Sequence, residues 1–234
     1  MPELFYSSTL EMSLTPLSGV SAGLSWGDVL SNRIAIIAVL ILLVLEIQDI
    51  IRVFPALLRC VPLWKGNLEL EHSVSQARTR NTVSLVMGLL FCIVADRYSL
   101  CNPSFRAVAG PGWQLAVTAG LFAGTALLRR LFYLVSPFRS KTSEFACTVR
   151  HTFYNYFILF AALALLVCVA LGAVRASDGT VRITLYVAAG LVYFLHLLRT
   201  GQILRSRYGL FATFLYLCAL EILPIGILIL TCTR

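Results

Sequence analysis

Long apolar blocks separated by short polar connectors set the pattern of this chain. Six blocks stand out: Ile34 to Ile51, Thr82 to Ala95, Trp113 to Leu128, Tyr154 to Val174, Ile183 to Leu198 and Leu210 to Thr231. Lipid offers no partner for backbone N–H and C=O groups, so apolar segments of about 17–25 residues cross a bilayer as helices that satisfy those groups internally. The pattern predicts an all-α, polytopic integral membrane protein. Its bundle of about six transmembrane helices would occupy residues 33–234, after an outward-facing tail over residues 1–32. The second block is short and ends at Asp96 and Arg97. If it did not cross, every later assignment would invert.

Composition sharpens this picture. Hydrophobic residues make up 59% of the chain and charged residues only 13%, with a mean hydropathy of +0.84, too little polar surface to cover a water-soluble globule. The net charge of +8 does not indicate a nucleic-acid partner, because the cations sit beside the ends of the blocks, where lipid headgroups are the natural counter-charge.

The cations also alternate from one connector to the next. One set holds 13: Arg52, Arg59, Lys65, Arg78 and Arg80; Arg129, Arg130, Arg139, Lys141 and Arg150; Arg199, Arg205 and Arg207. The other holds 6: Arg33, Arg97, Arg106, Arg175, Arg182 and Arg234. Cytoplasmic connectors retain Lys and Arg, so the chain is expected to cross its membrane several times with both termini facing outward and the first, third and fifth connectors inward. The tail carries Glu3, Glu11 and Asp28 but no Lys or Arg, and lacks the basic start and compact apolar centre of a secretory signal. It reads as an uncleaved outward segment, with Trp26 near the boundary. Two inward connectors, Arg52 to Lys65 and Arg129 to Lys141, mix bulky apolar residues with cations and read as interfacial anchors. Pro55 and Pro62 are expected to prevent a long helix in the first of them.

Candidate chemistry is sparse. No Walker, dinucleotide, H-E-x-x-H or G-x-S-x-G motif occurs, and no two of the seven cysteines form C-x-x-C. Cys101 and Cys232 would both lie near the outer face, where a disulfide is conceivable and two free thiols are the plainer expectation. Of the three histidines, His151 opens the fourth block and His196 nears the end of the fifth, so both approach the inner face. A bis-histidyl haem would fit that placement, but interfacial packing explains the aromatic neighbours in TFYNYF and LVYFLHLL. No catalytic residue, metal ligand or cofactor is assigned.

Acidic residues within the blocks are more telling. Glu221 lies midway along the last one, and a carboxylate at that depth costs about 2.5–3.5 kcal/mol unless it faces protein or water. Pro224 lacks the N–H that would pair with the Leu220 carbonyl, which opens the helix beside the acid. An Arg or Asn partner would make Glu221 a structural lock; gain and loss of a proton would make it a coupling site. In the first block, Glu46, Asp49 and Arg52 fall at i, i+3 and i+6 on one helix side, an inner-boundary ion pair before it is an ion path. Ala116, Gly120 and Gly124 form a small-x-x-x-small row in the third block, assigned first to packing within the chain.

Several segments carry a resemblance. Trp26 before the first block, the WKGNLELEHSVSQARTRN connector, RHTFYNYF opening the fourth block and above all FLYLCALEILP in the last are similar to an uncharacterised domain-of-unknown-function family of polytopic inner-membrane proteins of Bacteroidota-type bacteria. The likeness runs from about Trp26 to the C-terminus, and LEILP is its specific part. It implies no activity, and maps Glu221, Pro224, Asn155 and Tyr156 onto recurring features without roles.

The leading functional expectation is a non-enzymatic structural or assembly subunit of the cell envelope, contacting the bilayer and partner subunits or a second copy of itself. The runner-up is a small proton-coupled transporter or channel-like subunit using Glu221. A lipid-modifying membrane enzyme would have only His151, His196 and Arg199 at the inner face to work with.

Overall fold

The computed structural model describes residues 26–62, 66, 74–135 and 143–233. Most of the N-terminal tail, together with Lys65, His72, Arg139, Lys141 and Arg234, lies outside the described residues. Among the described residues the fold is entirely helical. Helix α1 (Leu30–Leu45) is followed by α2 (Ile47–Cys60), α3 (Val74–Arg97), α4 (Gln114–Val135), α5 (Ser143–Ala173) and α6 (Asp178–Arg205). The last span comprises α7 (Leu210–Tyr216), a π-helical turn (Leu217–Ile222) and α8 (Leu223–Thr233). Five helical stretches are long and apolar enough to cross a membrane, and α1 with α2 is a sixth if the bent pair counts as one broken span.

Contacts at the two ends show how that pair runs. Just before α1, the Trp26 indole donates to Asp96 at the C-terminal end of α3. At the far end of α2, the Cys60 carbonyl accepts from the Tyr156 hydroxyl of α5, and the Val61 carbonyl accepts from Arg199 near the C-terminus of α6. The chain therefore travels from one end of the bundle to the other between residues 26 and 61.

The continuous helix expected over Ile34 to Ile51 is nevertheless broken. Glu46 leaves the helical region (φ −94°, ψ 4°), and α2 departs at 70°. Apolar residues continue through Ile47, Ile50 and Ile51, so hydropathy does not mark the break. Amphipathicity does: α2 buries Val53, Leu57 and Cys60 against the bundle and leaves Arg52 and Arg59 exposed, as a helix along the headgroup layer should. Pro55 sits inside α2 rather than interrupting it. Asp49 and Arg52 pair at 3.9 Å, while Glu46 occupies the break itself, so the two acids and the base do not share one straight helix side.

The core lies where α3, α5 and α6 meet. Val83, Met87, Phe91, Ile158, Val181 and Leu185 are buried there, and Phe91 packs edge-on against Phe122, Phe157 and Phe160 with ring centroids 5.0–5.7 Å apart. Ala161 and Ala164, both fully buried, give α5 the close approach that small residues permit between membrane helices. The small row of α4 does the opposite of what its pattern suggested. Ala116, Gly120 and Gly124 are exposed, and a Cβ added at either glycine would meet nothing within 4 Å. Packing within the chain is thus not their role, because α4 turns its other side, carrying Thr118, Arg129 and Tyr133, inward.

The helix ends on the Asp96 side of the bundle are sharply finished. Both α3 and α5 close with a left-handed residue, Ser99 (φ 48°) and Arg175 (φ 55°), after which Leu100 and Ala176 donate back to Ala95 and Leu171. The first reversal delivers Cys101, which forms a disulfide with Cys232, their Cα atoms 4.7 Å apart, and so ties the α3–α4 connector to the end of the last span. Two free thiols were the plainer expectation; sequence alone could not bring together residues 131 positions apart.

Candidate functional site

Three chain segments bring their polar groups together in the middle of the bundle. The Glu221 carboxylate projects from the π turn and is 1% exposed. Its Oε1 accepts from Arg129 Nη2 and from the Tyr133 hydroxyl of α4, each at 2.6 Å. Its Oε2 lies 3.0 Å from His196 Nε2 of α6. The backbone carbonyl of Glu221 also accepts from the Tyr193 hydroxyl at 3.1 Å. Side chain and main chain of one residue are thereby fastened to two neighbouring helices.

The local backbone explains how an acid comes to sit there. Proline at 224 cannot supply the N–H that a regular turn requires, and the chain widens into a π turn immediately before it. The widening frees carbonyls, one of which Tyr193 takes, and Pro224 itself is buried. The opening expected from the Glu221–Pro224 spacing is thus realised as a π turn.

Arg129 corrects an expectation. Its position after an apolar block suggested an inner connector, but α4 continues to Val135 and carries the guanidinium inside, 4% exposed. The guanidinium lies 4.0 Å above the Phe153 ring of α5, and its Nη1 donates to the Arg150 carbonyl at 3.4 Å. Its Nε has no acceptor among the described residues, so Glu221 is its principal anionic partner. Burying either charge alone would be prohibitive; together, with Tyr133 and His196 filling the remaining carboxylate positions, they form a compensated pair. Of the alternatives for Glu221, this is the Arg-paired arrangement.

His196 is buried among aromatic rings, with Phe153, Tyr156 and Tyr193 centroids at 5.5, 5.7 and 6.1 Å. Its second ring nitrogen, Nδ1, lies 3.4 Å from the Thr200 hydroxyl one turn on. His151 does not join it, and instead meets the Arg150 guanidinium at 3.2 Å. Asn155 and Tyr156 are buried on α5, and Tyr156 is spent on holding the end of α2. Glu46, Asp49 and Arg52 form a separate group at the α1–α2 break. Of the residues singled out from sequence, then, Glu221, Pro224 and His196 converge. Arg129, Tyr133, Tyr193 and Thr200 were missed. The signal for two of them was present, since Arg129 and Tyr133 are one turn apart on α4 and share a face.

A second buried carboxylate occupies the end of the bundle that carries the disulfide. Asp96 Oδ1 accepts from Arg106 Nη2 and the Thr118 hydroxyl, both at 2.8 Å, and Oδ2 accepts from the Trp26 indole at 2.7 Å. Arg106 also donates to the Cys101 carbonyl at 2.9 Å, so ion pair and disulfide brace the same connector.

The helices and their inward ionic cluster define a multi-pass, all-helical protein of membrane type. Within that class, the chain belongs to the family described as domain of unknown function DUF4271, whose family model matches residues 74–231. That range contains every member of the Glu221 cluster and the Asp96–Arg106 pair, and leaves α1 and α2 outside. No curated protein and no solved structure matches the chain.

Proposed function

We propose that this chain is a non-enzymatic structural or assembly subunit of a bacterial cell envelope of Bacteroidota type, seated in the inner membrane with both termini in the periplasm. The observation that carries the reading is the saturation of Glu221: both carboxylate oxygens and its backbone carbonyl are committed to fixed donors on α4 and α6. A group so engaged ties helices together. A proton-coupled transporter or channel-like subunit built on Glu221 has less behind it, because the carboxylate would have to leave Arg129 at each cycle. For an enzyme acting on lipid, the inner-face trio is already dispersed: His151 meets Arg150, His196 meets Glu221, and Arg199 is held by Val61 and Gln202.

Two independent features support the orientation. By sequence the alternate connectors carry 13 and 6 cations, with Arg129 of the larger set drawn into the bundle, and the disulfide joins segments of the cation-poor set, as an oxidising periplasm would require. Partner binding is supported by α4, of whose most apolar window only 11% is buried, against 22–56% for the other four unbroken spans.

Purification from native membranes in mild detergent, followed by cross-linking and mass analysis, tests the subunit reading. A stoichiometric membrane-protein partner or a defined homo-oligomer is expected; a lone monomer that drives pH-gradient-dependent solute uptake in liposomes would overturn it. Thiol labelling from outside intact cells tests the orientation, with cysteines placed at the exposed Ser104 and Ser177 expected to react and those at Lys65, Lys141 and Arg205 to stay protected.

A further inference from the structure

The arginines at the two ends of the bundle differ in how they are partnered. At the end that carries the disulfide, Arg33 pairs with Asp28 at 2.8 Å, Arg97 with Asp178 at 3.4 Å and Arg106 with Asp96 at 2.8 Å, and Arg182 donates to the Tyr98 carbonyl at 3.0 Å. Arg175 is the exception there. At the opposite end Arg59, Arg78, Arg130 and Arg205 are exposed and have no acidic partner among the described residues. Arg52 has Asp49 only at 3.9 Å, beyond hydrogen-bond reach.

Two of these cations share one side of α2. Arg52 and Arg59 are seven positions apart, so their Cα atoms lie about 10 Å from one another on nearly the same line along the helix. Ile51 and Leu58, exposed beside them, seat that part of α2 against lipid, while Val53 and Leu57 hold its other side on the bundle. A guanidinium in this setting, with no carboxylate of its own chain within hydrogen-bond reach, finds its anion in phosphate, whose oxygens match the planar fork of N–H donors. Directly before the bend, Leu40, Ile41, Val44 and Leu45 line a groove of about 270 Å³ on α1, with aliphatic walls throughout. Charge on one arm of the bent pair thus adjoins a hydrocarbon groove on the other.

We propose that the bent pair α1–α2 is a binding site for an anionic phospholipid, with Arg52 and Arg59 taking its phosphate oxygens and the α1 groove taking an acyl chain. The occupant is a lipid and not a soluble anion, because cations and an aliphatic groove follow one another on a single stretch of chain.

Native mass spectrometry of the full chain in mild detergent tests this, with phosphatidylglycerol and phosphatidylcholine of matched chains as lipid probes and inorganic phosphate as the soluble one. Wild type should retain phosphatidylglycerol over phosphatidylcholine; that preference should fall about fivefold in Arg52→Gln or Arg59→Gln and about 25-fold in the double variant. Arg130→Gln combined with Arg205→Gln, at the same end but off α2, should leave it unchanged, and excess inorganic phosphate should not displace the lipid. A double α2 variant that keeps the full preference would overturn the proposal. So would displacement by inorganic phosphate, or an equal loss in the Arg130 and Arg205 pair, which would reduce the effect to the summed charge of that end. Both α2 arginines are exposed, so the variants should melt as wild type does in phosphatidylcholine nanodiscs; should the double variant not fold, the single ones decide. Lipid retention by the isolated chain does not depend on a partner subunit, so this proposal and the subunit reading can fail separately.

Discussion

Asp96 and Glu221 are both carboxylates sealed inside the bundle and paired with arginine, yet they join different things. Asp96 meets Arg106 ten positions away, and together with Trp26 and Thr118 finishes one end of the fold. Glu221 meets Arg129 across 92 positions and links α4, α6 and the last span at mid-depth. The first pair closes a turn; the second adds an ionic tie to helices already packed through Tyr133, Ile203, Leu204 and Leu220. Depth also separates them, since a loop at the end of the bundle can turn its charge towards water and headgroups, whereas a group in mid-span cannot.

That difference sets the order of expected effects. Glu221→Ala should cost about 3–5 kcal/mol, because it strands the Arg129 charge in the bundle, and thermal unfolding in detergent should show a corresponding collapse of monodisperse protein. Glu221→Gln, which keeps shape and hydrogen-bonding capacity, should lose less; equal loss in both variants would leave Glu221 a purely structural role. Asp96→Ala should cost about 1–3 kcal/mol by the same assay, since Arg106 can rehydrate. A loss at Asp96 larger than that at Glu221 would invert the comparison. Serine at Cys101 and Cys232 should cost about 2 kcal/mol, and before reduction two of the seven cysteines in the wild type should resist a maleimide under denaturing conditions. Smallest are the glycines. Gly201→Ala presses on Leu217, whose Cδ1 would lie 3.3 Å from the new Cβ, at about 1 kcal/mol. Gly120→Ala, facing outward, should stay within about 0.5 kcal/mol.

The approximate number and order of the spans were legible because hydropathy and length are local properties; their limits were less so, since the helices run out to Val74 and Val135 beyond the apolar blocks. Glu221 was legible too, since a charge in mid-span has to be accounted for wherever it occurs. Its partners were not. Arg129 ends an apolar block beside Arg130, and only three-dimensional packing decides that one of the two turns inward while the other stays exposed. The α1–α2 break escaped notice because the isoleucines flanking Glu46 carry the apolar signal straight through it. The small row on α4 misled for a related reason: spacing shows that two helices can approach closely, not which helix is on the other side.

The bend after Leu45 also bears on the lipid. Sixteen helical residues span about 24 Å, some 6 Å less than the hydrocarbon layer they stand in. Beside α1 one leaflet must therefore dip, or α2 must sink its oily side beneath the headgroups. Either way the protein carries a permanent hydrophobic mismatch along one flank, and short-chain lipids should gather there.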